Sequence, residues 1–513
     1  MFEVHQPYRL ARRITRRLAE KVALKGKVDH ADLEEIYFDQ TLNREVFERV
    51  ARRCYLPANA IILQQIDFFK NQGKNFKVSY SVSGVLLEQA ERWMPSLLES
   101  FRQLASTGMV EFLDQTYFHS LSFLIAEEEF IDQIRMHREL LKSYLGVSPI
   151  SVENTEFIYN NYIAKIFDKL GYKVVLTEGV EKILMWRSPN YVYKAKGLNL
   201  RVLMRNYRLS DDIGFRFASR WWSEYPLTAD KYSAWLAATP GDVILIAIDY
   251  ETFGEHFPAE TGIFEFLRWL PGEILKWEHL TTSTPSEVVE RVPPRDEIDV
   301  PESDTISWAD LERDLTAWTG NFMQDYALDR LRDLWLQVKA TRDENLLRLW
   351  RLLSISDHFY YMSTKGGGPG DVHSYFSPYK SPFQAYMIYS DVLADLEYRT
   401  LQRLEQDEDS RYRWVWMKRV DAGKEFMFYL DVGKPLNLVA WNVFSFIDAL
   451  ERAPLESVVF HQTRGDFSRW LSFSVGEKNL GEKLEKVKID KEDDPKGRIL
   501  EILYERRKSL FGF

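Results

Sequence analysis

A chain of 513 residues is too long for one hydrophobic core, so two or three domains are expected. Its 45% hydrophobic and 28% charged residues fit a soluble globular protein, and a formal net charge of -10 argues against nucleic acid as a partner, because phosphate is met by a basic surface. The single cysteine, Cys54, excludes an internal disulfide framework and a cysteine-rich metal site. No stretch of about 18 apolar residues could span a membrane and residues 1–5 carry no leader pattern, so a cytoplasmic protein with no membrane partner is expected. The chain starts so close to its first strand that the sequence leaves open whether Met1 is the native start.

Phe2-Glu3-Val4 reads as the tail of a strand, with His5-Gln6-Pro7-Tyr8-Arg9 at its carboxyl end. Residues 10–26 are helical and basic, and 45–71 are helical with a break at Pro57. Residues 76–82 alternate as a strand closed by Ser83-Gly84, and 85–107 are helical. A short strand at 110–113 precedes a long amphipathic helix at 126–144. The strand at 149–152 ends in Glu153-Asn154-Thr155-Glu156, and helix 162–170 leads to strands at 174–179 and 202–206. Residues 243–248 are six apolar residues in a row, the pattern of a strand buried on both faces. That run stops on Asp249, followed closely by Glu251, Gly254, Glu255 and His256. About seven strands alternate with helices and end in polar, aromatic or acidic residues, which predicts an α/β fold, a parallel β/α barrel with its site at the C-terminal face.

Beyond residue 262 the pattern changes. Residues 262–276 are helical, 283–308 read as a proline-rich charged linker, and 308–353 and 382–404 are helical. Residues 365–371, with four glycines and a proline, must be a loop. After a charged boundary at 405–411, residues 413–420 and 424–431 resemble a β-hairpin around Asp421-Ala422-Gly423, followed by helices at 445–452, 467–473 and 496–508. Three domains are expected: 1–262, 263–405 and an appended module at 412–513.

Two acids stand just beyond strands, Glu156 and Asp249. Retaining glycoside hydrolysis needs such a pair, one carboxylate to attack the anomeric carbon and one carboxyl to protonate the leaving oxygen. Strand-end acids also cap helices or form ion pairs, so position alone does not decide. The abundance of aromatics, 15 Trp, 26 Tyr and 32 Phe, tilts toward carbohydrate, since sugar rings pack on aromatic faces.

Five stretches, in chain order, resemble the motifs of the α-amylase-type members of glycoside hydrolase family 57. They are His5-Gln6-Pro7, residues 108–113 (GMVEFL) continuing to 116–121 (TYFHSL), 154–161 (NTEFIYNN), 249–256 (DYETFGEH) and 356–362 (SDHFYYM). Residues 54–59 and 209–213 fit between them. The resemblance covers roughly residues 1–400. It implies a distorted (β/α)7 barrel followed by an α-helical region that completes the cleft, with Glu156 as nucleophile and Asp249 as general acid/base. It places His5, Gln6, Glu111, His119, Asp357 and His358 as substrate-binding or supporting groups, and implies no metal and no cofactor. Trp221 and Trp222, adjacent indoles ahead of a polar turn, suit a sugar-stacking loop as well as they suit a core. His256 adjoins the motif and could orient Asp249 or Glu251.

Three positions depart from the family pattern: Gln115, where an acid is expected nearby, Glu153, where a basic residue is expected, and Gly366-Gly367-Gly368 in place of tryptophan-containing residues. The expected activity is retaining α-1,4-glucan hydrolysis, with an α-glucan or maltooligosaccharide as the partner molecule. The alternatives are a 4-α-glucanotransferase or branching enzyme and a non-catalytic glucan-binding paralogue. A metal-dependent deacetylase, bending His5, His119 and Asp249 into a metal triad, is the remotest. Residues 455–471 resemble a small, partly helical module, in which His461 and Asp466 are a candidate site or, more simply, packed surface charge. The sequence is silent on oligomeric state.

Overall fold

The computed structural model describes residues 1–365, 377–489 and 494–513; the Gly366-Gly367-Gly368 loop lies outside them. The chain forms two compact units, residues 1–332 with 351–392, and residues 333–350 with 393–513.

The first unit is built on two mainly parallel sheets. In one, β1 (Phe2–Val4) lies between β2 (Val78–Val82) and β8 (Ile248–Asp249), and β3 (Val110–Leu113) pairs with β2. In the other, β4 (Ser151–Glu153), β5 (Val174–Glu178) and β7 (Arg201–Arg205) run parallel, with β6 (Tyr193–Ala195) and β9 (Asp296–Ile298) at the far edge. The sheets meet at two single bridges, Asp114 with Val152 and Arg205 with Leu245. Seven parallel strands thereby run round a distorted ring, in the order β8-β1-β2-β3-β4-β5-β7.

Strand alternation decides what faces where. Phe2, Val4, Tyr80, Val82 and Phe112 join the large apolar cluster beneath the helices. The alternate residues Glu3 and Ser81, paired in register, are buried and polar and both bond the Gln115 side chain. Helices follow their capping chemistry. Glu127–Leu145 opens on Glu127, Glu128 and Glu129, closes on left-handed Gly146 at φ 71°, and buries Phe130, Ile134, His137, Leu141 and Leu145 at three- and four-residue intervals. Asn160 and Asn206 cap the helices Asn161–Lys169 and Tyr207–Gly214.

Four expectations are corrected. The apolar run 243–248 is not a laddered strand before Ile248: the Arg205 side chain takes the Ala247 carbonyl (2.7 Å) and the Ser210 hydroxyl takes the Ala247 N–H (3.2 Å), leaving one bridge at Leu245. The expected linker 283–308 holds the helix Pro285–Arg291, started by a Thr284–Glu287 capping box, and then β9. Pro57 does not break its helix; Gln40–Val50 runs through a π turn, Ala51–Tyr55, into Leu56–Lys70. The hairpin lies further on, between β10 (Phe426–Asp431) and β11 (Lys434–Ala440), because Glu408–Met417 is a helix burying Tyr412, Val415 and Trp416 at helical spacing.

The second unit has its own core around Trp416, Phe428, Phe446, Phe467 and Leu503. There His461 is spent internally, Nδ1 on Asp466 (2.9 Å) and Nε2 accepting the Tyr429 N–H (2.8 Å). Among the described residues no helix is long and apolar enough to cross a membrane, and no three His, Cys, Asp or Glu groups are placed to hold a metal ion.

Candidate active site

The carboxyl ends of β1, β3, β4, β7 and β8 surround a cavity of about 200 Å³ in the first unit. His5, His119, Glu156, Asp249 and Asp357 all line it, with Gln6 on its wall, so six of the ten residues expected from the sequence converge here.

Glu156 follows β4 on a turn that holds two consecutive left-handed residues, Glu156 at φ 60° and Phe157 at φ 56°. A bulky residue there is strained, and such strain persists only where the surroundings fix it. Thr177 Oγ1 donates to the Phe157 carbonyl (2.9 Å), the Trp308 N–H donates to the Glu156 carbonyl (3.2 Å), and the Phe157 ring stacks on Trp308 at 4.8 Å. The turn aims the Glu156 carboxylate into the cavity. One oxygen accepts from Trp308 Nε1 (2.6 Å) and the other faces His119 Nε2 (3.4 Å).

Asp249 ends β8. Burial and the nearby Glu156 charge push its carboxyl up to about 7, against the pull of Arg205. It is therefore an acid near neutral pH. Two residues on, burial and Asp249 push Glu251 up to about 8; Glu251 accepts a hydrogen bond from Tyr55. Arg205 reaches Glu178 (2.8 Å) and Asp211 (2.7 Å) and lies 5.6 Å from the Trp308 ring.

His5 bonds Ser83 Oγ through Nδ1 (2.7 Å) and Asp357 through Nε2 (3.0 Å), and stacks on His119 at 4.1 Å. Burial and the His119 charge push His5 down to about 4, whereas the two histidines overcome burial and pull Asp357 to about 2. The mouth thus holds an ionised Asp357 and a neutral His5, with Asp249 titrating near neutral pH beside Glu156.

The other expected residues lie elsewhere. Glu111 sits at the opposite end of β3, where Ser151 Oγ and the Ser286 N–H (3.0 Å) and Oγ (2.8 Å) occupy its carboxylate. His358 is buried on the far side of its short helix, bonded to the Leu352 carbonyl at 3.1 Å. Trp221 is 81% exposed and Trp222 packs on Trp235, both away from the cavity. His256 does line it, pushed down to about 4 by burial. Sequence reasoning missed Trp308, Arg205, Tyr360 and Asp310, of which Tyr360 donates to Asp310 at 3.2 Å. Tyr360 lay within a quoted motif; Trp308 had no local signal at all.

A ring of parallel strands with two carboxyl groups at its C-terminal mouth is the arrangement on which glycoside cleavage is built. The model of glycosyl hydrolase family 57 matches residues 1–301, and the chain belongs to that family of glycoside hydrolases. A Methanocaldococcus jannaschii protein named "Putative alpha-amylase" is 47% identical over 434 residues, 83% of this chain and 88% of the relative. The alpha-amylase of Pyrococcus furiosus is 27% identical over 133 residues, 26% of this chain and 19% of that protein. Among solved structures, the GH57 branching enzyme of Thermococcus kodakaraensis superposes with a TM-score of 0.55 at 14% identity, over 80% of this chain and 92% of that one. The 4-alpha-glucanotransferase of Thermococcus litoralis gives 0.53 at 18% identity, over 83% of this chain and 62% of that one. At these identities the two structures speak for the fold.

Proposed function

We propose that this chain is a retaining α-glucan hydrolase that cleaves α-1,4-glucosidic bonds through a glycosyl-enzyme intermediate. The observation that carries the reading is the unlike surroundings of two carboxyl groups on one cavity: Glu156 accepts from Trp308 Nε1 and faces His119 Nε2, while burial raises Asp249 to about 7. Glu156 attacks the anomeric carbon while Asp249 gives its proton to the departing glycosidic oxygen. Asp249, now a carboxylate, takes a proton from water as the water attacks the same carbon and frees Glu156. Asp357, His5 and Gln6 would bind sugar hydroxyls beside the cleaved bond, exchanging their contacts with one another, Ser83, Tyr55 and Arg9 for the sugar. Residues 1–262 would supply the barrel, 263–405 the helical wall that contributes Trp308 and Asp357, and 412–513 an appended module.

The test is to incubate wild type and Glu156→Gln with maltoheptaose and glycogen and to separate the products by chromatography. Short chains with new reducing ends from the wild type alone support the hydrolase. Ladders above seven units would assign the intermediate to a sugar acceptor, the chemistry of a 4-α-glucanotransferase or branching enzyme. Turnover by Glu156→Gln equal to wild type overturns the nucleophile, and glycogen binding with no turnover by either protein marks a binding paralogue.

A further inference from the structure

Beneath Glu156 runs a chain of hydrogen bonds that the reaction scheme does not use. Gln115, fully buried, donates from Nε2 to Glu3 Oε1 (3.0 Å) and to Ser81 Oγ (2.6 Å). Both amide protons are thereby committed, one to Glu3 and one to Ser81. Its Oε1 therefore faces His119 Nδ1 at 2.8 Å, and this makes Nδ1 the donor. The other ring nitrogen faces Glu156 Oε1. A neutral ring protonated on Nδ1 would present a lone pair to that carboxylate; only the doubly protonated ring donates at both ends. The groups packed round His119 favour this form. Glu3 lies 3.6 Å from Nδ1, Asp357 contributes a second negative charge, and His5 stacks above as a neutral ring. Burial opposes the His119 cation, but the Glu156 hydrogen bond and the Glu3 and Asp357 charges outweigh it and raise its value.

We infer that Gln115 is a positioning residue for the nucleophile: by taking the Nδ1 proton of His119 it fixes that ring as a two-ended donor and keeps an N–H on Glu156 before attack. The inference rests on Glu156 being the nucleophile. It also gives a role to a position at which the chain departs from its family pattern.

The experiment uses α-maltosyl fluoride, whose fluoride leaves without a proton, so its pH profile reports the attacking side free of Asp249. In Gln115→Met, kcat/KM on the fluoride falls about 10- to 100-fold, its acidic limb moves up by roughly one pH unit, and KM stays within about two-fold. Gln115→Glu restores the acidic limb as the protonated acid, whose O–H takes the place of the amide N–H toward Glu3 while its carbonyl oxygen accepts from Nδ1. An unaltered profile in Gln115→Met, or a loss equal at every pH that Gln115→Glu does not repair, overturns the inference. Should Gln115→Met fail to fold, wild-type protein labelled with ¹⁵N-histidine carries the test, its His119 signals assigned by their loss in His119→Asn. Two protonated ring nitrogens at pH 7 support the inference and one overturns it. Trapping with 5-fluoro-α-glucosyl fluoride and peptide mapping separates the two levels. A label on Glu156 with an unmoved profile removes only the positioning role, whereas a label on another residue removes the nucleophile and the inference together.

Discussion

Trp308 holds Glu156 twice, through its backbone N–H and through its indole. Trp308→Phe keeps a ring against Phe157 and removes only the indole N–H. A hydrogen bond to a charged group contributes about 1.5–3 kcal/mol, so kcat on maltoheptaose should fall about 10- to 100-fold with KM nearly unchanged. A kcat within about two-fold of wild type would show the indole N–H to be idle. Asp249 gives a second expectation. Its carboxyl must be protonated to donate, so kcat/KM on maltoheptaose should decline as pH rises through about 7, while the profile on α-maltosyl fluoride lacks that basic limb. Equal basic limbs on both substrates would remove Asp249 from the donor role. Glu156, Asp249, His5 and His119 were legible in the sequence because each stands at or just past a strand end, and strand ends gather in a parallel ring. Trp308 was not, since 152 residues separate it from Glu156 and nothing local marks the contact. Glu111 misled for a related reason: its motif position is right for the strand, but it lies near the strand's beginning, away from the mouth.

At the scale of elements, the helical stretch from Gln40 to Lys70 shows how a site is braced from outside. Pro57 has no N–H to return to the Arg53 carbonyl, and the preceding residues open into a π turn. The backbone of Gly254 occupies the space beside that carbonyl; a Cβ there would lie 2.1 Å from it, at a φ of 115° that other residues rarely adopt. The same turn sends Cys54 Sγ to the Tyr250 carbonyl (3.0 Å) and the Tyr55 hydroxyl to Glu251. Gly254→Ala should therefore destabilise the protein by about 2–4 kcal/mol and lower activity further by displacing the segment after Asp249. Denaturant unfolding with the midpoint unchanged would show that the Arg53 carbonyl moves aside freely. This bracing was unreadable in the sequence, where Pro57 looked like a break, because a proline's effect depends on whether a neighbouring segment uses the carbonyl it releases. The strand at 243–248 failed for the converse reason. Its apolar pattern described burial correctly, but its backbone groups are taken by Arg205 and Ser210 side chains in place of a ladder. Helices with clear end signals, such as the acidic first turn and the Gly146 stop of Glu127–Leu145, were readable nearly to the residue.

For the molecule as a whole, the site's protonation states set a stability slope. Burial raises Asp249 to about 7, Glu251 to about 8 and Glu153 to about 7, and burial together with Glu153 raises Glu3 well above the usual carboxylate range. A carboxyl with a raised native value binds more protons folded than unfolded, so it destabilises the fold as pH rises toward that value. His5, His256 and His358, each pushed down to about 4 by burial, act oppositely, but only between about 4 and 6.5, since above that range the unfolded chain also holds them neutral. Between pH 6.5 and 8, among the described residues, the buried Met1 ammonium, lowered to about 5, opposes the carboxyls. His119, raised by its acidic neighbours, adds to the carboxyl side. The melting temperature should fall by a few degrees across that window, and Glu251→Gln, which cannot ionise, should flatten the fall. Calorimetry at pH 6.5 and 8 on both proteins decides it. Parallel slopes in the two would mean that Glu251 is already charged at pH 6.5, and the acid-rich mouth would then be held together by its cations, Arg205 foremost, rather than by shared protons.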